Sequence, residues 1–165
     1  LRKQAGHFLP LMAAAGEMIA FVRLPCESSK AFNLRIIDQE PMVIALARSH
    51  PLSSHRELTL EQLTDVAPIL FPREVAPGLY ELVYNSYLRA GIDMQSAYQS
   101  SQISSSLSMV EAGFGFALVP QSMTCITLPN VSYHPLMGTP LKTDIAIAWR
   151  RYERSRTVKR FLAMF

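Results

Sequence analysis

Strand-type runs alternate with amphipathic helical segments along most of this chain, and this alternation restricts the fold more than any other feature. Met42–Ala47 and Phe114–Val119 are almost wholly apolar, which is typical of strands covered on both faces. Residues 78–90 and 104–112 place apolar side chains at helical spacing, and each is followed by a glycine. Such an alternation requires crossover connections, so the sequence predicts an α/β fold with mixed, mostly parallel sheets and helices on both faces.

Shorter patterns predict the remaining elements. Thr59 and Gln62 have the spacing of a capping box that opens a short helix, and Ser155 is a candidate N-cap for a final helix. The other predicted elements are a helix over residues 3–16 and strands over residues 18–23, 34–37, 69–71, 97–99, 131–134 and 145–149.

The charge is distributed unevenly along the chain. The sequence has 165 residues, 49% of them apolar, which excludes a disordered chain and suffices for the core of a domain. The net charge of +3 and the pI near 9.0 first suggest a nucleic-acid or membrane partner. However, residues 150–165 carry six Lys and Arg side chains against Glu153 alone, and the rest is mildly acidic. We therefore interpret the basic segment as a solvated helix face.

The sequence does not begin like a signal peptide, and its apolar stretches are much shorter than the 18 or so residues of a membrane span. We therefore expect a cytoplasmic protein without a membrane partner. Cys26 and Cys125 are isolated, which predicts reduced, buried thiols and neither a metal site nor a cofactor. The sequence opens at Leu1 and closes at Phe165 in mid-pattern, so we expect it to be a piece of a longer protein.

Motifs of known enzyme classes are not found. Gly113-Phe-Gly115 lacks the third glycine of a dinucleotide turn and follows a predicted helix, which predicts a helix C-cap leading into a strand. The four histidines are scattered, without a positioned partner, so structural or solvated roles are expected. We predict no catalysis. A small hydrolase or transferase remains the alternative, and it would need Ser104 or Cys125 within hydrogen-bonding distance of a histidine.

Two segments follow a predicted strand and open a helix, where unpaired N–H groups favour an anionic ligand. In the first, Pro77 has no N–H, Gly78 has no side chain, and the amides of Gly78, Leu79 and Tyr80 would face a ligand. Ordinary helix capping explains the same residues, so both interpretations stay open.

The second segment offers an amide and a hydroxyl at a helix start. Gln102 and Ser104 are its candidate ligand-binding residues. Ordinary capping is again the alternative.

The order and spacing of several runs resemble the effector-binding domain of LysR-type transcriptional regulators. The runs are Phe21-Val-Arg-Leu-Pro25, residues 40–52, Leu58–Leu63, residues 71–80 and Val110-Glu-Ala-Gly-Phe-Gly-Phe-Ala-Leu-Val-Pro120. Residues 71–74 and 77–80 look most like the branch that senses intermediates of aromatic degradation. The resemblance covers about residues 10–165.

The resemblance implies a two-lobed fold like that of periplasmic binding proteins. Residues 1–47 and 143–165 would form an incomplete first lobe and residues 48–142 the second. The family's winged helix-turn-helix, linker helix and first strands are not part of this sequence, so DNA contact would be made by that winged helix-turn-helix.

The function implied is effector sensing and oligomerisation, with a small anionic inducer such as an aromatic or dicarboxylic acid held in the inter-lobe cleft. Arg23 is the charged first-lobe candidate, because a guanidinium can pair bidentately with a carboxylate; an exposed strand-end arginine is the other interpretation. A homodimer or homotetramer is expected. The solute-binding protein of a transporter is the alternative on the same fold.

Overall fold

Strands and helices alternate through the described part of the chain, which is residues 19–24, 32–138 and 141–165 of a computed structural model. The strands are β1 (Ile19–Leu24), β2 (Phe32–Ala47), β3 (Pro68–Leu70), β4 (Tyr98–Gln99), β5 (Phe116–Pro120), β6 (Val131–Pro135) and β7 (Lys142–Arg150). The helices are α1 (Pro77–Arg89), α2 (Ile103–Glu111) and α3 (Arg156–Leu162). Short 3-10 helices lie at Pro51–Ser54, Leu60–Leu63, Met94–Ser96 and Gln121–Cys125. The predicted α/β class is confirmed.

Internal contacts divide the chain into two compact units. The described residues of the first unit are 19–24, 32–39, Glu74–Leu79 and Thr143–Phe165. Those of the second unit are Glu40–Arg73 and 80–142, apart from residues 139 and 140. The predicted lobes, residues 1–47 with 143–165 and residues 48–142, stay a prediction.

In the first unit, β7 lies between β1 and β2. β1 and β7 are antiparallel, with Ile19 opposite Trp149. The hydroxyl oxygen of Ser155 accepts a hydrogen bond from the backbone N–H of Val158, so the predicted N-cap of α3 is confirmed. Phe161 of α3 meets Phe21 of β1 edge to face, with ring centroids 6.4 Å apart.

In the second unit, the strand order is β6-β2-β5-β3-β4. β2 is antiparallel to both β5 and β6, whereas β3 is parallel to both β4 and β5. Helix α2 packs on this sheet through Leu107 and Val110, which are buried with Val43, Ala117 and Val119. The predicted mixed sheet is present, but antiparallel pairing has a larger share than the sequence analysis expected, because β2 pairs antiparallel on both sides in this unit.

Residues 34–37 and 42–47 were predicted as two strands, and this was wrong, because both belong to the 16-residue strand β2. The polar residues between them do not interrupt the strand. The Gln39 side-chain amide donates to Asp144 Oδ1 at 2.8 Å, so a cross-strand partner on β7 satisfies it. Pro41 fits because its fixed φ is compatible with extended backbone.

The segment around Gly113 folds as predicted. Gly113 ends α2 with φ +81°, the left-handed conformation of a helix C-cap, and β5 follows. Gly115 has a different role, since a Cβ there would overlap the carbonyl oxygen of Ala67.

Three further expectations concern the cysteines, the first helix and the membrane. Cys125 is exposed at the end of a 3-10 helix, so the expectation of a buried thiol was wrong for it. Cys26 and the helix predicted over residues 3–16 lie outside the described residues. Among the described helices, none is long and apolar enough to cross a membrane.

Candidate functional site

The carboxyl ends of β3 and β4 lie side by side in the second unit. The two strands are parallel, with Leu70 opposite Gln99, and the backbone N–H of Ser100 donates to the Leu70 carbonyl at 2.8 Å. Parallel strands end at the same edge of a sheet, so the chain segments that leave β3 and β4 start at one edge. In open α/β sheets this is the edge where ligands bind.

The second candidate segment forms the N-terminus of α2 at this edge. Gln102 is the N-cap, and its backbone N–H donates to Ser105 Oγ at 2.9 Å. The Ser105 hydroxyl is also within 2.9 Å of the Gln102 carbonyl. Gln102 and Ser104 are exposed. Since an α-helix leaves its first N–H groups without intrahelical acceptors, this end suits a negatively charged group.

Two serines that the sequence analysis did not single out are buried beside this N-terminus. Ser100 is 5% exposed and Ser106 is 2% exposed, and their hydroxyl oxygens are 2.7 Å apart. The serine-rich composition of residues 100–108 was visible, but only the α2 register shows which hydroxyls point inward. The two serines are six positions apart, one before α2 and one within it, so neither helical nor strand periodicity indicates that they are paired.

The first candidate segment opens α1. Pro77 and Gly78 are half-buried at the helix start, and Leu79 is 2% exposed as a whole residue. Tyr80 stacks on Tyr84, with ring centroids 5.6 Å apart.

Aromatic and charged side chains surround Tyr80 within the second unit. Phe71, which follows β3, meets the Tyr80 ring edge to face at 6.2 Å. Arg73 forms an ion pair with Glu81 at 2.7 Å, and both side chains are well exposed. The loop after β3 is thus tied to the start of α1 by a ring contact and an ion pair.

Arg23 lies in the first unit, on β1, opposite Ile145 of β7. It is half-buried. The candidate residues are therefore distributed over both units: Arg23, Pro77, Gly78 and Leu79 belong to the first, and Tyr80, Gln102 and Ser104 to the second.

In the part of the chain that the structure describes, a serine–histidine contact occurs inside β6 rather than at the candidate ligand-binding edge. His134 is 4% exposed, with Nε2 2.8 Å from Ser132 Oγ and Nδ1 2.8 Å from the His55 carbonyl. Burial lowers the pKa of His134 below its ordinary 6.5; the bond to the His55 carbonyl opposes this, and the charges of His55 and Arg48 add to it. This is a structural histidine, as expected.

These features define a class of protein: an α/β ligand-binding domain of the periplasmic-binding-protein type, with its candidate site at the carboxyl ends of parallel strands. Residues 15–165 match the model of the LysR substrate binding domain, and the chain belongs to that family.

Two relatives illustrate the similarity. BudR, an HTH-type transcriptional regulator of Raoultella terrigena, is 71% identical over 168 residues, which cover 100% of this chain and 58% of BudR. BenM, an HTH-type transcriptional regulator of Acinetobacter baylyi, is 31% identical over 130 residues, which cover 78% of this chain and 43% of BenM. The chain spans about half the length of the curated relatives it matches.

Solved structures agree. The effector-binding domain of a BenM variant superposes with a TM-score of 0.82 at 27% identity, covering 95% of this chain and 73% of that chain. The BenM effector-binding domain with its effector benzoate gives 0.79 at 26% identity, covering 99% and 78%. Both curated relatives are named HTH-type transcriptional regulators, in agreement with the prediction that this chain is not an enzyme.

Proposed function

We propose that this chain is the effector-sensing and oligomerisation part of a cytoplasmic, DNA-binding LysR-type transcriptional regulator. The names of the relatives, HTH-type transcriptional regulators, support the DNA-binding role. The DNA would be bound by a winged helix-turn-helix that is not part of this sequence. The transporter alternative has no support among these relatives.

The effector that we propose is a small carboxylate, either an aromatic or a dicarboxylic acid. The observation that carries this proposal is the N-terminus of α2, which opens beside the ends of two parallel strands with Gln102 and Ser104 exposed. N–H groups at a helix start favour an anion. Benzoate, the effector of the related BenM domain, is an aromatic carboxylate.

We assign separate roles to the candidate residues. Gln102 and Ser104 would bind the carboxylate at the start of α2. The N–H groups of Gly78, Leu79 and Tyr80 would favour a negatively charged group at the start of α1, where Pro77 sets the first turn. The guanidinium of Arg23 would pair with a carboxylate oxygen.

Calorimetric titration of the full-length protein tests this function. Benzoate, muconate and acetate provide aromatic, dicarboxylic and minimal carboxylates, and benzamide is the matched neutral control for benzoate. We expect at least one acid to bind and benzamide to bind at least about tenfold more weakly than benzoate if benzoate is the ligand, because a helix N-terminus stabilises charge. Absence of heat with every acid would overturn the carboxylate proposal, as would equal affinities for benzoate and benzamide.

The proposed assembly is a homodimer or homotetramer of the full-length regulator. Light scattering of that protein measures its mass directly, and a monomer at micromolar concentration would contradict the oligomerisation role. Binding of the regulator to DNA upstream of its target gene, with and without the acid, tests the regulatory role separately.

A further inference from the structure

The buried residues Ser100 and Ser106 flank the exposed Gln102 and Ser104 in sequence. We propose that Ser100 and Ser106, the serine pair, position the effector site by fixing the first turn of α2 against the carboxyl end of β3. This inference rests on the proposed function, because the site that the pair would position is the one proposed above.

The hydrogen bonds of Ser100 join three parts of the second unit. Its Oγ is 2.7 Å from Ser106 Oγ in the first turn of α2, 2.9 Å from the carbonyl of the N-cap Gln102, and 3.2 Å from the carbonyl of Leu70 at the end of β3. The Ser100 backbone N–H also donates to that Leu70 carbonyl, at 2.8 Å. One residue therefore connects the strand end, the N-cap and the helix.

The number of hydroxyl protons makes the two serines interdependent. Each hydroxyl has one proton, so the 2.7 Å bond between Ser100 and Ser106 uses one of the two. The other proton is left for a carbonyl, that of Gln102 or Leu70. Removing either hydroxyl removes the bond between the two serines, while the remaining hydroxyl can still donate to a carbonyl.

Burial separates this role from direct binding. The hydroxyls of Ser100 and Ser106 are buried and bond each other and nearby carbonyls, whereas Gln102 and Ser104 are exposed. The Ser106 backbone N–H keeps its own bond to the Gln102 carbonyl at 3.2 Å, so loss of the Ser106 hydroxyl preserves the helix but removes its tie to Ser100. Binding sites need supporting side chains that hold the contacting groups within about 0.5 Å, so we expect affinity to depend on this tie.

The test compares Ser106→Ala with Ser108→Ala in the full-length protein. Ser108 is exposed on the same helix and is the matched control. Titration with benzoate, muconate and acetate should show an affinity about fivefold or more lower for S106A and unchanged for S108A. Hydrogen exchange without ligand should be faster at the backbone amides of the first turn of α2 in S106A only. Unchanged affinity in S106A with faster exchange would overturn the positioning role and leave the proposed function intact.

A double-mutant cycle distinguishes positioning by the pair from independent packing effects. If the serines act as one unit, S100A/S106A should lose no more affinity than the weaker-binding single variant, whereas additive losses would contradict the proposal. If S106A fails to fold, Ser106→Cys keeps the size with a weaker donor, and unchanged affinity in S106C with faster exchange would likewise overturn the role. If the unmodified protein binds no acid, the proposed function fails and this inference with it.

Discussion

The phenol oxygen of Tyr87 accepts a hydrogen bond from the backbone N–H of Leu118 at 2.9 Å, from α1 to the buried strand β5. Tyr87 is fully buried, and burial raises the pKa of its hydroxyl. Its ring also meets Phe116 edge to face, with centroids 5.3 Å apart. A side chain thus supplies the acceptor that a neighbouring strand supplies elsewhere along a sheet.

Replacing Tyr87 by Phe should destabilise the protein by about 1–3 kcal/mol, because the Leu118 N–H loses its acceptor in a buried place. Denaturant unfolding of the full-length protein measures this change. Tyr98→Phe is the control, since Tyr98 is exposed, and it should change the stability by less than about 0.5 kcal/mol. Equal stabilities of Y87F and Y98F would mean that the Tyr87 bond contributes nothing.

Replacing Gly115 by Ala should destabilise the protein by about 1–3 kcal/mol, because the new methyl group would overlap the Ala67 carbonyl oxygen. Gly91→Asn is the matched control: Gly91 has φ +76°, a new Cβ there meets nothing within 4 Å, and Asn tolerates this conformation. Thermal unfolding of both variants checks the comparison. A loss in G115A as small as that in G91N would show that the strand shifts without cost.

Lowering the pH below about 6.5 should destabilise the protein through His134. Burial lowers the His134 pKa in the folded state, so the unfolded chain takes up a proton first, and stability is lost as the pH falls from 6.5 towards the folded pKa. One proton gives at most about 1.4 kcal/mol per pH unit. Unfolding free energies at pH 7.5 and pH 5.5 should therefore differ less in His134→Asn, which keeps a donor near Nδ1, than in the unmodified protein. The same difference in both proteins would exclude His134 as the source.

Replacing Arg23 by Gln should weaken binding of the carboxylate effector by about tenfold or more, because a charge-assisted bond contributes about 1.5–3 kcal/mol. Arg89→Gln, at the exposed end of α1, is the control for the change in net charge. Calorimetry with the panel acids measures both variants. Equal affinities of R23Q and R89Q for the effector would mean that Arg23 does not bind it.

Local patterns predicted the helices and their caps well, since these depend on neighbours in sequence. The helix with Leu79, Val83 and Tyr87 on one face is α1, these three side chains are buried, and Gly91 takes the expected left-handed conformation. The Thr59 N–H donates to the Gln62 side chain at 2.9 Å, as in the predicted capping box. Such features are encoded within a few residues.

Features that depend on distant partners were not predictable in the same way. β2 continues through polar residues because the Gln39 side chain donates a hydrogen bond to Asp144 on β7, 105 positions away. Ser100 and Ser106 become distinguishable from the exposed serines only when β3 ends against Ser100. The two candidate ligand-binding segments do begin helices, as the sequence predicted. Their binding roles stay predictions.

The shortness of β3 has a consequence for how this sequence can vary in length. Its three residues are all buried, and the strand pairs on both sides: Pro68 and Ile69 with β5, Ile69 and Leu70 with β4. One residue inserted here would turn the following side chains of this strand to the opposite face and move the Leu70 carbonyl away from Ser100. Insertions and deletions among homologous sequences should accordingly fall outside residues 68–70, and an alignment that opens a gap there is out of register.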